Sequence, residues 1–145
     1  MSLLHDDITA TIGNTRLVVA AEPGAGVAIT STALITANDL EFLGDTFSIL
    51  SMDTASANGG EVTDTGAGGF TYMPPTGFTG ADTFQYAIQD GAGEVSRGVV
   101  TITVTNTVWY VDNTATAGGL GRSTDPFDTL AEAQTASAAG DTIYV

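Results

Sequence analysis

Between residues 82 and 105 apolar and polar side chains alternate with a period of two, and nothing else in the sequence narrows the fold as far. In Asp82-Thr83-Phe84-Gln85-Tyr86-Ala87-Ile88-Gln89-Asp90 this spacing places Phe84, Tyr86 and Ile88 on one face of a strand and Thr83, Gln85 and Gln89 on the other. The alternation returns in Val100-Thr101-Ile102-Thr103-Val104-Thr105 after Gly91-Ala92-Gly93, which predicts an antiparallel hairpin with one face in a core. Shorter runs elsewhere carry the same texture: Leu17-Val18-Val19, Val27-Ala28-Ile29, Thr46 to Met52, Glu61-Val62-Thr63 and Phe70-Thr71-Tyr72. Asn58-Gly59-Gly60 is a turn that predicts Glu61-Val62-Thr63 running back antiparallel to the strand ending at Met52. Gly66 to Gly69 is a second turn, and Pro74-Pro75 stops the strand at Tyr72 because proline has no N–H to give a ladder. About seven short strands in roughly 100 residues is the number of a β-sandwich.

Charge excludes whole classes of partner. Seventeen acidic residues stand against three basic ones, Arg16, Arg97 and Arg122, with no lysine, for a formal net charge of −14. Nucleic acid and anionic membrane surfaces are thereby disfavoured. Self-repulsion of this size calls for an offset, either bound divalent cations, with calcium the obvious one, or a saline setting; composition does not choose between them. The absence of cysteine removes disulfides and thiolate metal chemistry. No apolar run approaches the roughly 18 residues of a membrane span, so direct membrane insertion is not expected. Met1-Ser2-Leu3 reads as a cloning remnant rather than a signal peptide, whose place would be upstream.

The texture changes at Asn106-Thr107, giving an expected sandwich over residues 1–105 and a second unit over 106–145. Val108-Trp109-Tyr110-Val111 reads as a fresh strand, Gly118 to Gly121 as a loop, and Thr129 to Ala136 as a helix. Thr129 and Glu132 have the spacing of a capping box, and Gly140 is the expected stop. Asp141 to Val145 starts another strand. The 38 residues from Val108 to Val145 do not hold a core alone, so this unit is expected either to dock on the sandwich or to self-associate.

Two stretches carry a resemblance. The run from Gly69-Phe70-Thr71-Tyr72-Met73-Pro74-Pro75 through Gly77-Phe78-Thr79-Gly80-Ala81-Asp82 to Asp90-Gly91 resembles the signature of bacterial cadherin-like and Ig-like tandem repeats. Trp109-Tyr110-Val111-Asp112, Asp125-Pro126-Phe127 and Gly140 to Val145 are similar to the opening coil of right-handed parallel β-helix proteins, in which a short helix plugs the end of the solenoid. The resemblances imply an all-β chain: an antiparallel Ig/cadherin-like sandwich followed by a strand–helix–strand β-helix start. They also imply a bacterial protein, secreted or attached to the outer membrane, in which the chain is a non-catalytic structural or adhesive module. Its partners would be neighbouring repeats of the same chain, surface carbohydrate or protein, or a second copy meeting the last coil. The rival implication is a carrier domain for a β-helix enzyme or binding protein acting on polysaccharide.

The repeat family carries an acidic stretch whose oxygens suit calcium's demand for hard ligands. Asn38-Asp39-Leu40-Glu41-Phe42-Leu43-Gly44-Asp45 matches it at Asn38, Asp39, Gly44 and Asp45, and Glu41 keeps the charge, while Leu43 replaces an expected Asp. Asp39, Glu41 and Asp45 are thus candidate calcium ligands, with a charged turn as the alternative. Asp82 and Asp90 bracket the alternating strand as weaker candidates or turn formers, and Asp6 and Asp7 stand where a preceding repeat would meet the sandwich. His5 is the single histidine, so no triad or histidine metal site can be assembled. Trp109 reads as a core residue at the junction, with sugar stacking as its other use.

Overall fold

The alternating runs become strands that share one core between two sheets. The computed structural model describes residues 7–19, 47–66 and 68–145. In chain order these form β1 (Asp7–Gly13), β2 (Leu17–Val19), β3 (Phe47–Met52), β4 (Glu61–Gly66), β5 (Gly69–Met73), β6 (Gly80–Asp90), β7 (Val95–Tyr110), α1 (Leu130–Ala136) and β8 (Thr142–Tyr144). One sheet has the order β1-β7-β6-β3, with β8 joining the far end of β7; the other has the order β2-β5-β4. Val27-Ala28-Ile29 lies outside the described residues. Among these residues no helix is long and apolar enough to cross a membrane.

The period-two reading of the central hairpin holds. β6 pairs antiparallel with β7 from Gly80↔Val104 to Gln89↔Val95, and Phe84, Tyr86, Ile88, Val100, Ile102 and Val104 are all buried. Facing them from the second sheet are Val19, Val62, Phe70 and Tyr72, with Phe70 and Phe84 meeting edge to face at 5.0 Å. At about 25 cal/mol per Å² of apolar surface removed from water, this cluster is the main stabilising term of the sandwich. Gly98 is opposite Tyr86, and a Cβ there would lie 2.5 Å from the phenol ring, so the ring crosses β7 only because this position has no side chain.

Two local expectations change. β4 does reverse direction after Asn58-Gly59, but its antiparallel contact with the preceding chain is a single bridge, Ala55↔Glu61, and its real partner is β5 in the other sheet. β3 pairs instead with β6. A turn signal dictates that the chain reverses; it does not dictate which strand receives it. In addition β1 joins β7 in parallel, an exception to the otherwise antiparallel sandwich.

The expected break at Asn106 is a bulge in one long strand. β1 pairs Ile12 with Thr105 and Gly13 with Thr107, leaving Asn106 as the extra residue, with a left-handed φ of 56°. Asparagine tolerates that conformation better than most residues. The insertion moves the buried positions from even (Val100, Ile102, Val104) to odd (Thr107, Trp109, Val111), so one strand serves two clusters. The second cluster is Trp109, Val111 and Ala133, with Phe127 and Ile143 packed against it.

β8 lies parallel to β7 from Val108↔Thr142 to Tyr110↔Tyr144, and on the other edge of β7 Val111 bridges Phe127, also in parallel. The helix between them begins as its sequence dictates: Thr129 is the N-cap, and its hydroxyl and the Glu132 carboxylate form the capping box. It ends at Ala136, as read, but the C-cap is Ser137, whose backbone is extended, and not Gly140. Gly140 serves the following turn instead, where its φ of 99° lets Asp141 N–H reach Ala138 C=O at 3.1 Å.

Candidate functional site

Asp82 is the one predicted site residue whose side chain is described, and it lies fully buried in β6. Its Oδ2 accepts from Ser56 Oγ and from Tyr72 Oη, the latter at 2.7 Å. Its Oδ1 accepts from Asn58 N–H and Asn58 Nδ2, each at 3.0 Å, and from its own neighbour Thr83 N–H at 2.9 Å. Five donors occupy the carboxylate's roughly four lone-pair sites. One buried charge thus joins β6 of the first sheet, β5 of the second through Tyr72, and the 53–60 crossover between them.

Burial alone would raise the Asp82 pKa, but hydrogen bonds from Ser56, Tyr72 and Asn58 outweigh it and hold the group below the ordinary aspartate value. The same contact pushes the Tyr72 phenol up, through burial first and then through the bond to Asp82 and its charge. Ser56 is itself buried, and its own oxygen accepts from Gly60 N–H at 2.7 Å. The arrangement is built to be rigid. The sequence did contain a signal for it, since Asp82 shares parity with Phe84, Tyr86 and Ile88 and therefore points into the core rather than out from a turn.

Asp39, Glu41 and Asp45 lie outside the described residues, as do His5 and Asp6. Asp90 pairs through its backbone with Phe47, and neither its side chain nor that of Asp7 is described. Among the described residues no group of three His, Asp or Glu side chains is placed to hold a metal ion.

The second concentration of polar contacts is the seam between the sandwich and residues 107–145. Asn14, buried and with a left-handed φ of 62°, accepts from Gly77 N–H through Oδ1 at 2.7 Å and from Ser123 N–H through its carbonyl at 2.8 Å. Ser123 Oγ accepts from Arg16 N–H at 2.9 Å, and Thr15 Oγ1 and Tyr110 Oη share a hydrogen bond of 2.9 Å. Arg122 reaches back to Glu61 at 3.1 Å, an ion pair whose acidic partner is exposed and which contributes at most about 1 kcal/mol. Asn14 Nδ2 and Arg122 Nε are buried donors with no partner among the described residues.

Trp109 is core, as its position suggests. It is 7% exposed, its ring stacks on Phe127 at 5.8 Å, and its indole N–H donates to Asp141 Oδ2 at 2.9 Å. Ala138 N–H donates to the same oxygen, and these two bonds hold the Asp141 pKa below the usual carboxylate range. Two open hollows flank the seam. One, of about 630 Å³, lies beside Gly77, Asn106 and Gly140; the other, of about 420 Å³, is lined by Tyr110, Asp112, Ser123 and Tyr144.

Comparison with known proteins bears on the first part of the chain. A family model described as the cadherin-like domain matches residues 9–105, more than half of the chain. A search of curated proteins finds none that matches.

Proposed function

The chain belongs to the cadherin-like domain family, and from that premise we propose that it is a non-catalytic structural and adhesive module of a large bacterial protein, secreted or held at the outer membrane. The observation that carries this reading is the seam. β7 runs from the sandwich into the second cluster without a linker, and hydrogen bonds at Asn14, Thr15 and Arg16 tie the two parts together. A spacer works by fixing the direction of the unit attached to it, and a continuous strand braced on one side does that. Catalysis is not part of the reading. Ser56, Asp82 and Tyr72 are buried and mutually satisfied, the chain has no cysteine, and its one histidine lies near the N-terminus.

We read residues 106–145 as the first coil of a right-handed parallel β-helix. The parallel ladder of β7 and β8, the parallel bridge at Phe127 and the capped helix between them support this. The test of the spacer reading is nitrogen-15 relaxation of backbone amides. Residues 80–105 and 108–145 are expected to report one common tumbling time. Two independent times would mean a flexible joint and would remove the spacer role.

Calcium enters as a second proposal, resting on the grouping of Asp39, Glu41 and Asp45 and on the net charge of −14. Asp82 is not available for it, since its oxygens are filled. Calcium is expected to raise the melting temperature beyond a monovalent salt of equal ionic strength, by about 2.7 kcal/mol of stability at a hundredfold excess over the dissociation constant. Equal melting curves in calcium and in chelator would eliminate the metal site, and equal effects of the two salts would leave screening as the whole cause.

A further inference from the structure

Asn58 is followed by Gly59, and none of the other four asparagines, Asn14, Asn38, Asn106 and Asn113, precedes a glycine. In an Asn-Gly pair the glycine nitrogen can attack the asparagine side-chain carbonyl carbon, because no Cβ on the following residue stands in the way. Gly59 is open on that side: its φ is a left-handed 85°, and a Cβ built on it would meet nothing within 4 Å. The fold nevertheless ties down both reacting groups. Gly59 N–H donates to Ser56 C=O at 3.0 Å, and Asn58 Nδ2 donates to Ala81 C=O at 3.2 Å and to Asp82 Oδ1 at 3.0 Å. The loop around them is closed on itself, with Ser56 N–H on Gly60 C=O at 2.9 Å and Gly60 N–H on Ser56 Oγ at 2.7 Å. An aligned approach of nitrogen to carbon would need the Gly59 amide to leave Ser56 and the Asn58 amide to turn away from a buried carboxylate.

We propose that Asn58 is a self-modification site, shut in the folded sandwich and opened when the 53–60 crossover comes off Asp82, so that deamidation there permanently retires chains that have opened. The reaction needs only water. Gly59 nitrogen bonds to Asn58 Cγ and passes its proton through water to Nδ2; the Cγ–Nδ2 bond breaks, and Nδ2 leaves as ammonia from a five-membered succinimide. Water then adds to one of the two ring carbonyls and reopens the ring, giving aspartate or isoaspartate at the position of Asn58. Neither product restores the crossover. Aspartate puts a second carboxylate where Asn58 Nδ2 donated to Asp82 Oδ1, and two like charges beside one buried group are not both kept ionised. Isoaspartate carries one more carbon in the main chain between positions 58 and 59, where the bonds from Ser56 to Gly60 close a shorter path. The chain has no cysteine, so no disulfide keeps the two sheets together once the crossover has left.

The test is peptide mapping by mass spectrometry of the full chain, held at one pH and temperature with and without denaturing urea, following the replacement of NH₂ by OH at Asn58 over time. In urea Asn58 is expected to convert at least about tenfold faster than Asn113, which precedes β-branched Thr114. Without urea, conversion at Asn58 should be at least about tenfold slower than in urea, because only the opened crossover reacts. The converted fraction, separated by its added negative charge on an anion-exchange column, should unfold at a lower urea concentration than the unconverted chain. Asn58→Asp should likewise unfold at a lower urea concentration than Asn58→Ala, since both lose the amide bonds and only the first adds a charge beside Asp82. Equal rates with and without urea overturn the proposal, because the site is then not shut by the fold. So does a lack of conversion at Asn58 in urea. A converted fraction as stable as the unconverted chain, or Asn58→Asp as stable as Asn58→Ala, overturns it too, because modified chains would then close again.

Discussion

Asp82→Ala is expected to destabilise the sandwich by about 3–5 kcal/mol, a large share of the roughly 5–15 kcal/mol that holds a domain of this size. The loss does not come from the carboxylate's own bonds alone. Tyr72 Oη would be left buried without an acceptor and Ser56 Oγ with only a long 3.4 Å bond to Gly60 C=O, and an orphaned buried donor costs about 1–3 kcal/mol. Asp82→Asn is expected to cost nearly as much despite its shape, because one oxygen becomes an NH₂ facing donors. Tyr72→Phe removes one donor and orphans nothing, so it should cost only about 1 kcal/mol. Urea melts of the three variants give the ranking. A neutral Asp82→Asn would show that the network is incidental.

The same site sets a pH dependence at each end. Asp82 has a depressed pKa in the folded state, so its contribution is complete above the ordinary aspartate value of about 3.9 and is lost as pH falls through the lower folded value. Acid also relieves the repulsion among the other carboxylates, which acts in the opposite direction. The difference between wild type and Asp82→Asn isolates the Asp82 part, and it should shrink below about pH 4. Tyr72 has a raised pKa, so its contribution is complete below the ordinary tyrosine value of about 10 and fades above it as the unfolded chain ionises. In Tyr72→Phe that alkaline loss should be absent.

What the sequence reveals here is what depends on near neighbours. The faces of β6 come from period two, and Thr129 and Glu132 close a capping box because three residues of helix place them side by side. The turn at Asn58-Gly59 is equally local. Its outcome is not: Asn58 is held by Asp82, far along the chain, and that contact carries the crossover to the second sheet. The bulge at Asn106 was not legible, since Val108 to Val111 are apolar at even and odd positions alike and do not show which face is buried. Only the pairing of Gly13 with Thr107 distinguishes a bulge in one strand from a loop between two. The acidic stretch at Asp39, Glu41 and Asp45 remains a reading of residues outside the described structure.

Trp109→Ala is expected to unfold the C-terminal unit and leave the sandwich standing. Removing a buried tryptophan costs about 3–5 kcal/mol, and here it takes away the stack on Phe127, the contact with Val111 and Ala133, and the anchor on Asp141. Two buried residues besides Trp109 cannot sustain a cluster. The sandwich core contains no residue beyond Val104, so its own packing is untouched. Hydrogen exchange should therefore show amides of β8 losing protection while those of β6 keep it. Trp109→Phe separates packing from polarity: most of the ring volume stays, the bond to Asp141 goes, and the expected cost is about 1 kcal/mol. The seam decides the alternative result. If the bonds from Ser123 to Asn14 and Arg16 and from Tyr110 to Thr15 couple the clusters strongly, β6 and β8 will lose protection together. The chain would then be one cooperative unit, and the loss of Trp109 would be felt across the whole of β7.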